Sequence, residues 1–261
     1  MAPTDGIRFL PLGGGVTCAV SDVHAFGTDA VLLWDFCRAG ERAAKPDRIA
    51  VDLCSGCGIV PLLFCRDARA KGLAISAAGI ELQEDAAALF ARSIAENALV
   101  GCAQAVHADI RGISSEDGVP MALHDFKGRC DLVTCNPPYT PMGHGAPAAG
   151  AARRMARQGE TCTMGDVAAA AKMLLRFGGR LCICQRPERL CDLFAAMRDN
   201  GIEPKRVRFV AKRPDCAPWL VLVEGKRGGR PFLKVEPALF VQNEDGTPSD
   251  ALQKCYEVRK D

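Results

Sequence analysis

The chain has 261 residues, 48% hydrophobic and 25% charged, with a formal net charge of +2. That length allows one large domain, or one with a small appendage, and needs no disulfide or metal to staple it. The charge excludes a chain that is basic throughout, so a nucleic-acid surface has to be a local patch; no run approaches the roughly 18 apolar residues of a membrane helix, and Met1–Val20 lacks the features of a signal peptide, so a cytoplasmic protein without membrane contact is expected.

Ile7–Leu12 and Val16–Val20 flank Gly13-Gly14-Gly15 and predict a small β-hairpin. Thr28 is suited to N-cap a helix through Leu33 and Trp34, with Asp29 in its first turn. Ile49–Asp52 reads as a buried strand, Ile59–Ala70 as a helix and Ala77–Leu82 as the next strand. Glu84–Leu99 is an amphipathic helix with Leu89, Phe90, Ile94 and Ala98 on its apolar face. Strands follow at Ala103–Asp109 and Asp131–Cys135, then a loop rich in Gly, Ala, Pro and Arg from Thr140 to Gln158. A helix is predicted over Met164–Phe177, ended by Gly178-Gly179, and a strand over Arg180–Cys184. A helix over Glu188–Asn200 closes at Gly201, and Arg206–Ala211 with Trp219–Glu224 predict a hairpin. After Gly228 the pattern weakens; this tail is expected to pack as an extended segment and to fray over Lys254–Asp261, where five residues are charged.

Strands alternating with helices imply an α/β fold: a mostly parallel seven-stranded sheet, helices on both faces and a C-terminal antiparallel hairpin. The expected organisation is a cover over the site in residues 1–40, the core in 41–228 and an extension in 229–261. Ligands of such sheets sit beyond the carboxyl ends of the strands, near the switch in strand order.

The fourteen cysteines lie mostly in apolar runs and read as small core residues of a reducing compartment. Cys54-Ser-Gly-Cys57 has redox spacing and Cys182-x-Cys184 hints at a metal. A zinc site, however, wants two such pairs or a pair with nearby His, and the four His, at 24, 107, 124 and 144, are scattered. No metal is expected; a metal or redox role is the alternative.

Asp52-Leu-Cys54-Ser-Gly56-Cys-Gly58 follows a strand and opens a helix. It lacks the third glycine of a dinucleotide loop and the Gly-Lys-Ser/Thr of a phosphate loop. An acid at the strand end repels a pyrophosphate and favours a ligand with an ammonium group. The methionine part of S-adenosylmethionine carries an ammonium, a sulfonium and a carboxylate. Asp52 suits the positive end, directly or through water, and the loop N–H groups suit the carboxylate; the alternative for Asp52 is a turn cap. Glu81, 29 residues on, ends a strand and is placed to accept from ribose hydroxyls; the alternative is a solvated strand-end acid. Asp109, ending the third strand, suits the adenine amino group, and Leu82 and Ile110 suit the faces of the ring. The alternative for Asp109 is a turn-initiating acid.

Asn136-Pro137-Pro138-Tyr139 follows a buried strand. Its prolines fix an extended turn and remove two N–H donors. The Asn136 side-chain and Pro137 backbone carbonyls then suit a planar –NH2 that only donates. Accepting both hydrogens frees the nitrogen lone pair for in-line attack on a sulfonium methyl, and Tyr139 offers a face on which a base stacks. Neither a strong general base nor a metal is needed; orientation and placed acceptors carry the chemistry.

Aspartate loop, strand-end Glu, strand-end Asp and Asn-Pro-Pro-Tyr together resemble the amino-group methyltransferases. More closely, the chain is similar to the bacterial tRNA1(Val) adenine N6-methyltransferases, through Phe26–Leu33, Asp52–Leu63, Cys135–Tyr139, Arg186–Leu190 and Glu203–Val210, over roughly residues 5–240. Thr28, in the first of these pieces, is counted with the cofactor contacts. The resemblance implies a Rossmann-like class I fold, S-adenosylmethionine as cofactor, tRNA as partner and methylation of the adenine beside the anticodon. Two departures stand out: Cys54 and Cys57 where many methyltransferases have Gly and a small polar residue, and Met155-Ala-Arg-Gln-Gly-Glu160 where His-Glu is expected after Ala-Arg.

Arg153, Arg154 and Arg157 precede any acid in their loop and suit RNA phosphates. Lys205, Arg206, Arg208, Lys212 and Arg213 form a second basic run, and Lys226, Arg227 and Arg230 a third; the alternative for each is a solvated surface. An anticodon-loop adenine is already poorly paired, so extruding it costs little. The rival readings are a protein-glutamine methyltransferase, which usually carries a helical recognition domain before the core, a DNA adenine methyltransferase, and a non-enzymatic RNA-binding module. A monomer is expected.

Overall fold

The computed structural model describes residues 6–39, 47–115, 117–138 and 162–258. β1 (Arg8–Gly13) and β2 (Val16–Val20) pair antiparallel, with an irregularity between Pro11 and Gly13. α1 (Thr28–Ala39) leads to the first central strand, β3 (Ile49–Leu53), and alternation then sets in. α2 (Ile59–Ala70), β4 (Ser76–Glu81), α3 (Glu84–Glu96) and β5 (Ala103–His107) form one half. β6 (Cys130–Cys135), α4 (Met164–Leu174), β7 (Leu175–Gln185), α5 (Leu190–Asp199), β8 (Ile202–Ala211) and β9 (Leu220–Arg227) form the other.

The strand order is β10-β8-β9-β7-β6-β3-β4-β5, where β10 (Lys234–Val235) and β11 (Leu239–Phe240) each pair with β8. The expected seven strands are therefore present and the tail adds two of two residues each. β3 to β7 run parallel, and β9 lies antiparallel between β7 and β8. Side chains alternate across the sheet as a period of two requires. Ala50, Leu132, Cys182 and Cys184 face α1, α2 and α3, whereas Val51, Val133, Leu181 and Ile183 face α4 and α5. The chain fills β3, β4 and β5 outward, then returns to β6 on the other side of β3. That reversal puts the switch point between the carboxyl ends of β3 and β6.

The hairpin lies against α3 through polar contacts that imitate strand pairing. Thr17 N donates to Asn97 Oδ1 at 2.8 Å, Asn97 Nδ2 returns to Thr17 O at 2.7 Å, and Ala19 N donates to Ser93 Oγ at 2.8 Å.

Three expectations are corrected. The helix predicted to reach Phe177 stops at Leu174, and Gly178-Gly179 lie inside β7, where the register with β6 jumps from Cys130↔Leu175 to Leu132↔Arg180. Gly178 has φ +79°, and a Cβ on Gly179 would meet the Cys130 carbonyl at 2.8 Å, so these glycines make a bulge rather than a helix cap. Asp109 lies beyond β5 and caps a 3-10 turn, Ile110–Gly112. The tail does not simply fray: α6 (Asp250–Tyr256) is N-capped by Ser249, and Arg38 of α1 donates to the carbonyls of Lys254, Cys255 and Glu257 at 3.1, 3.0 and 2.6 Å. Among the described residues no helix is long and apolar enough to cross a membrane.

Candidate functional site

β3 runs into Cys54, Gly56 and Gly58, at φ +59°, +53° and +82°. Three left-handed residues in five turn the chain sharply from strand to helix, which glycine does at little cost. Ser55 N is held by Ile80 O at 2.9 Å, so the turn leans on β4. Space beside Gly56 is open, whereas a Cβ on Gly58 would lie 2.0 Å from the Phe90 ring. Gly58 therefore lets α2 and α3 pack, and its N–H closes the turn onto Ser55 O at 2.9 Å. Gly58, expected among the cofactor residues, thus has a packing role in this turn.

A cavity of about 410 Å³ opens beyond the carboxyl ends of β3, β4, β5 and β6. Of the expected residues, Cys54, Gly56, Glu81, Leu82, Asp109, Ile110 and Asn136 line it. Ile80, Gln83, Ala108, Arg111, Pro138 and Cys162 join them without having been singled out from the sequence. Gln83 and Arg111 each sit two residues past an expected strand-end acid, and that position is the signal that was available. Pro137, between Asn136 and Pro138 in sequence, is buried and does not line the cavity.

Glu81 accepts from Gly56 N at 2.8 Å and from Gln83 N at 2.9 Å, tying the glycine turn to the end of β4. Asp52 is buried below the turn, 3% exposed, and accepts from Thr134 Oγ1 at 2.5 Å. Burial, with the nearby Glu81 charge adding to it and the Thr134 bond opposing it, pushes the Asp52 carboxyl up to about 7. Asp109 accepts from Arg111 N, Nε and Nη2 at 2.6–3.0 Å, and these bonds hold its carboxyl below the usual range. Asn136 Oδ1 accepts from the Cys184 thiol at 3.0 Å, so β7 orients the amide that ends β6.

Thr28 is not brought to this cavity. It lines a separate cleft with Asp29, Lys212, Trp219 and Gln242. Tyr139, Arg153, Arg154 and Arg157 lie outside the described residues. The basic run from Lys205 to Arg213 does not form one RNA-facing surface. Arg206 is buried, paired with Glu224 at 2.9 Å and Glu236 at 3.2 Å and stacked 3.9 Å over Phe36, while Arg208 pairs with Glu236 at 2.9 Å. Among the described residues no group of three or more His, Cys, Asp or Glu is arranged to hold a metal ion.

The tRNA1(Val) (adenine(37)-N6)-methyltransferase of Porphyromonas gingivalis is 31% identical over 204 residues, 76% of this chain and 72% of that protein. The chain belongs to this family. The methyltransferase of the same designation from a Shewanella species is 27% identical over 220 residues, 81% of this chain and 82% of that protein. No protein-family model matches the chain. Among solved structures, a predicted O-methyltransferase from Agrobacterium tumefaciens superposes with a TM-score of 0.62 at 19% identity, over 87% of this chain and 95% of that one. A 16S rRNA methyltransferase of T. thermophilus, in complex with AdoMet and guanosine, gives 0.53 at 16% identity, over 85% and 50%. These likenesses agree with the Rossmann-like sheet described above. As a methyltransferase of this family, the enzyme takes S-adenosylmethionine as methyl donor.

The cavity fits that cofactor. Its walls combine a carboxylate on the end of β4, apolar Leu82 and Ile110, and open space beside Gly56; Asp52, buried in β3, is not among the lining residues. A sugar and a flat base each find a matching surface.

Proposed function

We propose that the enzyme transfers a methyl group to the exocyclic N6 of an adenine in tRNA, the anticodon-loop adenine of tRNA1(Val). The observation that carries this reading is the position of Asn136: at the switch point, on the wall of the cavity that also holds Glu81 and Asp109, with its oxygen oriented by Cys184. The designations of the similar proteins from Porphyromonas gingivalis and Shewanella support the substrate.

In this reading Glu81 holds the ribose hydroxyls and Asp109 takes the adenine amino group of the cofactor, whose ring lies between Leu82 and Ile110. Asp52, when ionised, stabilises the cofactor's positive charge from below. The cofactor supplies an electrophilic methyl group on sulfur. Asn136 Oδ1, with the Pro137 carbonyl, accepts from the substrate –NH2. Tyr139 stacks on the base, and Arg153, Arg154 and Arg157 hold RNA phosphates. Positioned acceptors of this kind contribute roughly 2.7–4 kcal/mol each to a transition state.

The test incubates the protein with methyl-labelled cofactor and unmodified tRNA1(Val) and identifies the product nucleoside. N6-methyladenosine at the anticodon-loop position is expected. Label found only in protein, as methylated glutamine, would overturn the substrate.

A further inference from the structure

Two of the cysteines, Cys54 and Cys162, stand apart from those packed in the core. They are 108 residues apart in sequence, both half-buried and both on the wall of the cavity, and their sulfurs are 3.8 Å apart. Cys54 belongs to the glycine turn and Cys162 to the approach to α4, so the pair brings two separate segments of the cavity lining together. We infer that Cys54 and Cys162 form an oxidative modification site, a dithiol that peroxide converts to a disulfide and that thereby closes the cavity to the cofactor. The inference rests on the reading of this cavity as the cofactor site.

The geometry allows the step. A disulfide needs sulfurs about 2.05 Å apart, so the pair has to close by roughly 1.8 Å. Cys54 sits in a left-handed turn with open space at its neighbour Gly56, which gives that wall room to move. The chemistry balances with hydrogen peroxide as oxidant. One thiolate attacks the peroxide oxygen, becoming a sulfenic acid as the O–O bond breaks and water leaves. The second sulfur then attacks the first, the S–S bond forms and a second water departs. Two thiols supply the two electrons, and dithiothreitol returns them.

The Cys135 thiol and burial raise Cys54, and the Cys54 thiol and burial raise Cys162. Few thiolates exist at neutral pH, so the reaction is slow there and quickens about tenfold per pH unit. Bound cofactor, filling the space into which the sulfurs close, protects the pair.

The experiment starts from fully reduced protein titrated calorimetrically with S-adenosylmethionine. It is then treated with hydrogen peroxide, mapped by non-reducing peptide mass spectrometry and titrated again. The expected result is a Cys54–Cys162 cross-linked peptide lighter by two hydrogens, at least tenfold weaker cofactor binding, and full recovery with dithiothreitol. Cys162→Ser and Cys162→Ala, each compared with its own reduced form, keep their affinity after peroxide. A link from Cys54 to Cys135 instead, or a Cys54–Cys162 link that leaves binding intact, overturns the inference alone. Failure of the reduced protein to bind the cofactor overturns the cavity reading, and this inference with it.

Discussion

In the proposed reading, the buried Asp52 carboxyl makes cofactor binding pH-dependent in a direction that can be worked out. Free of ligand, the group titrates near 7 because it is enclosed and lies near Glu81. A cation-bearing cofactor favours its charged form and draws it back toward the ordinary value of about 4. Linkage then requires proton release on binding, about half a proton at pH 7, and an affinity that rises roughly tenfold between pH 6 and 8. The cofactor's own α-amino group, of a type that titrates near 8, bends the curve down above that pH. Asp52→Asn therefore removes the rising limb and leaves the falling one. Stability has the opposite sense. An acid raised in the folded state opposes folding once the unfolded chain ionises. Its effect is nil below about pH 4, grows by about 1.4 kcal/mol per pH unit, and levels off above 7 at a cost on the order of 4 kcal/mol. Asp52→Asn keeps an acceptor for Thr134, so at pH 8 the variant without ligand melts higher than the parent while binding cofactor more weakly. Calorimetry in two buffers of different ionisation enthalpy counts the proton, and a thermal melt reads the stability. A flat affinity from pH 6 to 7.5 without proton release, or a variant that keeps the rising limb, would refute the reasoning.

In the proposed reading, Glu81→Ala lowers cofactor affinity at least tenfold by titration, because ribose loses its acceptors and Gly56 N and Gln83 N lose theirs; Glu81→Gln retains part of it. Asn136→Ala lowers the methylation rate by roughly 10²–10³ at saturating substrates, with cofactor affinity changed by less than about threefold. Gly58→Ala forces a Cβ into the Phe90 ring at φ +82° and costs roughly 2–4 kcal/mol in urea unfolding. Arg153→Glu with Arg154→Glu weakens tRNA binding in a filter assay without altering cofactor affinity, and binding by the parent protein falls steeply with salt; binding indifferent to salt speaks against phosphate contacts.

The parts of the fold legible in the sequence are those written locally. Val51 and Val133 sit in short apolar runs that end in an acid or an amide, and the change of period after them marks strand, turn and helix. For the same reason Glu81 could be placed at a strand end and Asn136 just past one, and both line one cavity with Asp109, which sits two residues beyond its strand. What stayed hidden depends on partners far along the chain. A glycine pair that ends a helix and one that makes a bulge look alike until the Cys130 carbonyl is found against Gly179. Arg206 reads as a surface cation until Glu224 and Glu236 close around it. The reason for α6 to persist, the guanidinium of Arg38, lies more than 200 residues away. Cys184 beneath Asn136 and Cys162 beside Cys54 are likewise tertiary facts, 48 and 108 residues distant.

The Arg38 contact also orders events in time. A nascent polypeptide emerges amino end first, and its early pieces begin to fold as they appear. Arg38 is among those pieces, yet the Lys254 and Glu257 carbonyls that solvate its charge are made 216 and 219 residues later. Until they leave the ribosome, the first helix has only the Asp35 and Asp67 carboxylates to offset that cation. Synthesis of the segment that carries α6 thus acts as the latch on the last turn of α1.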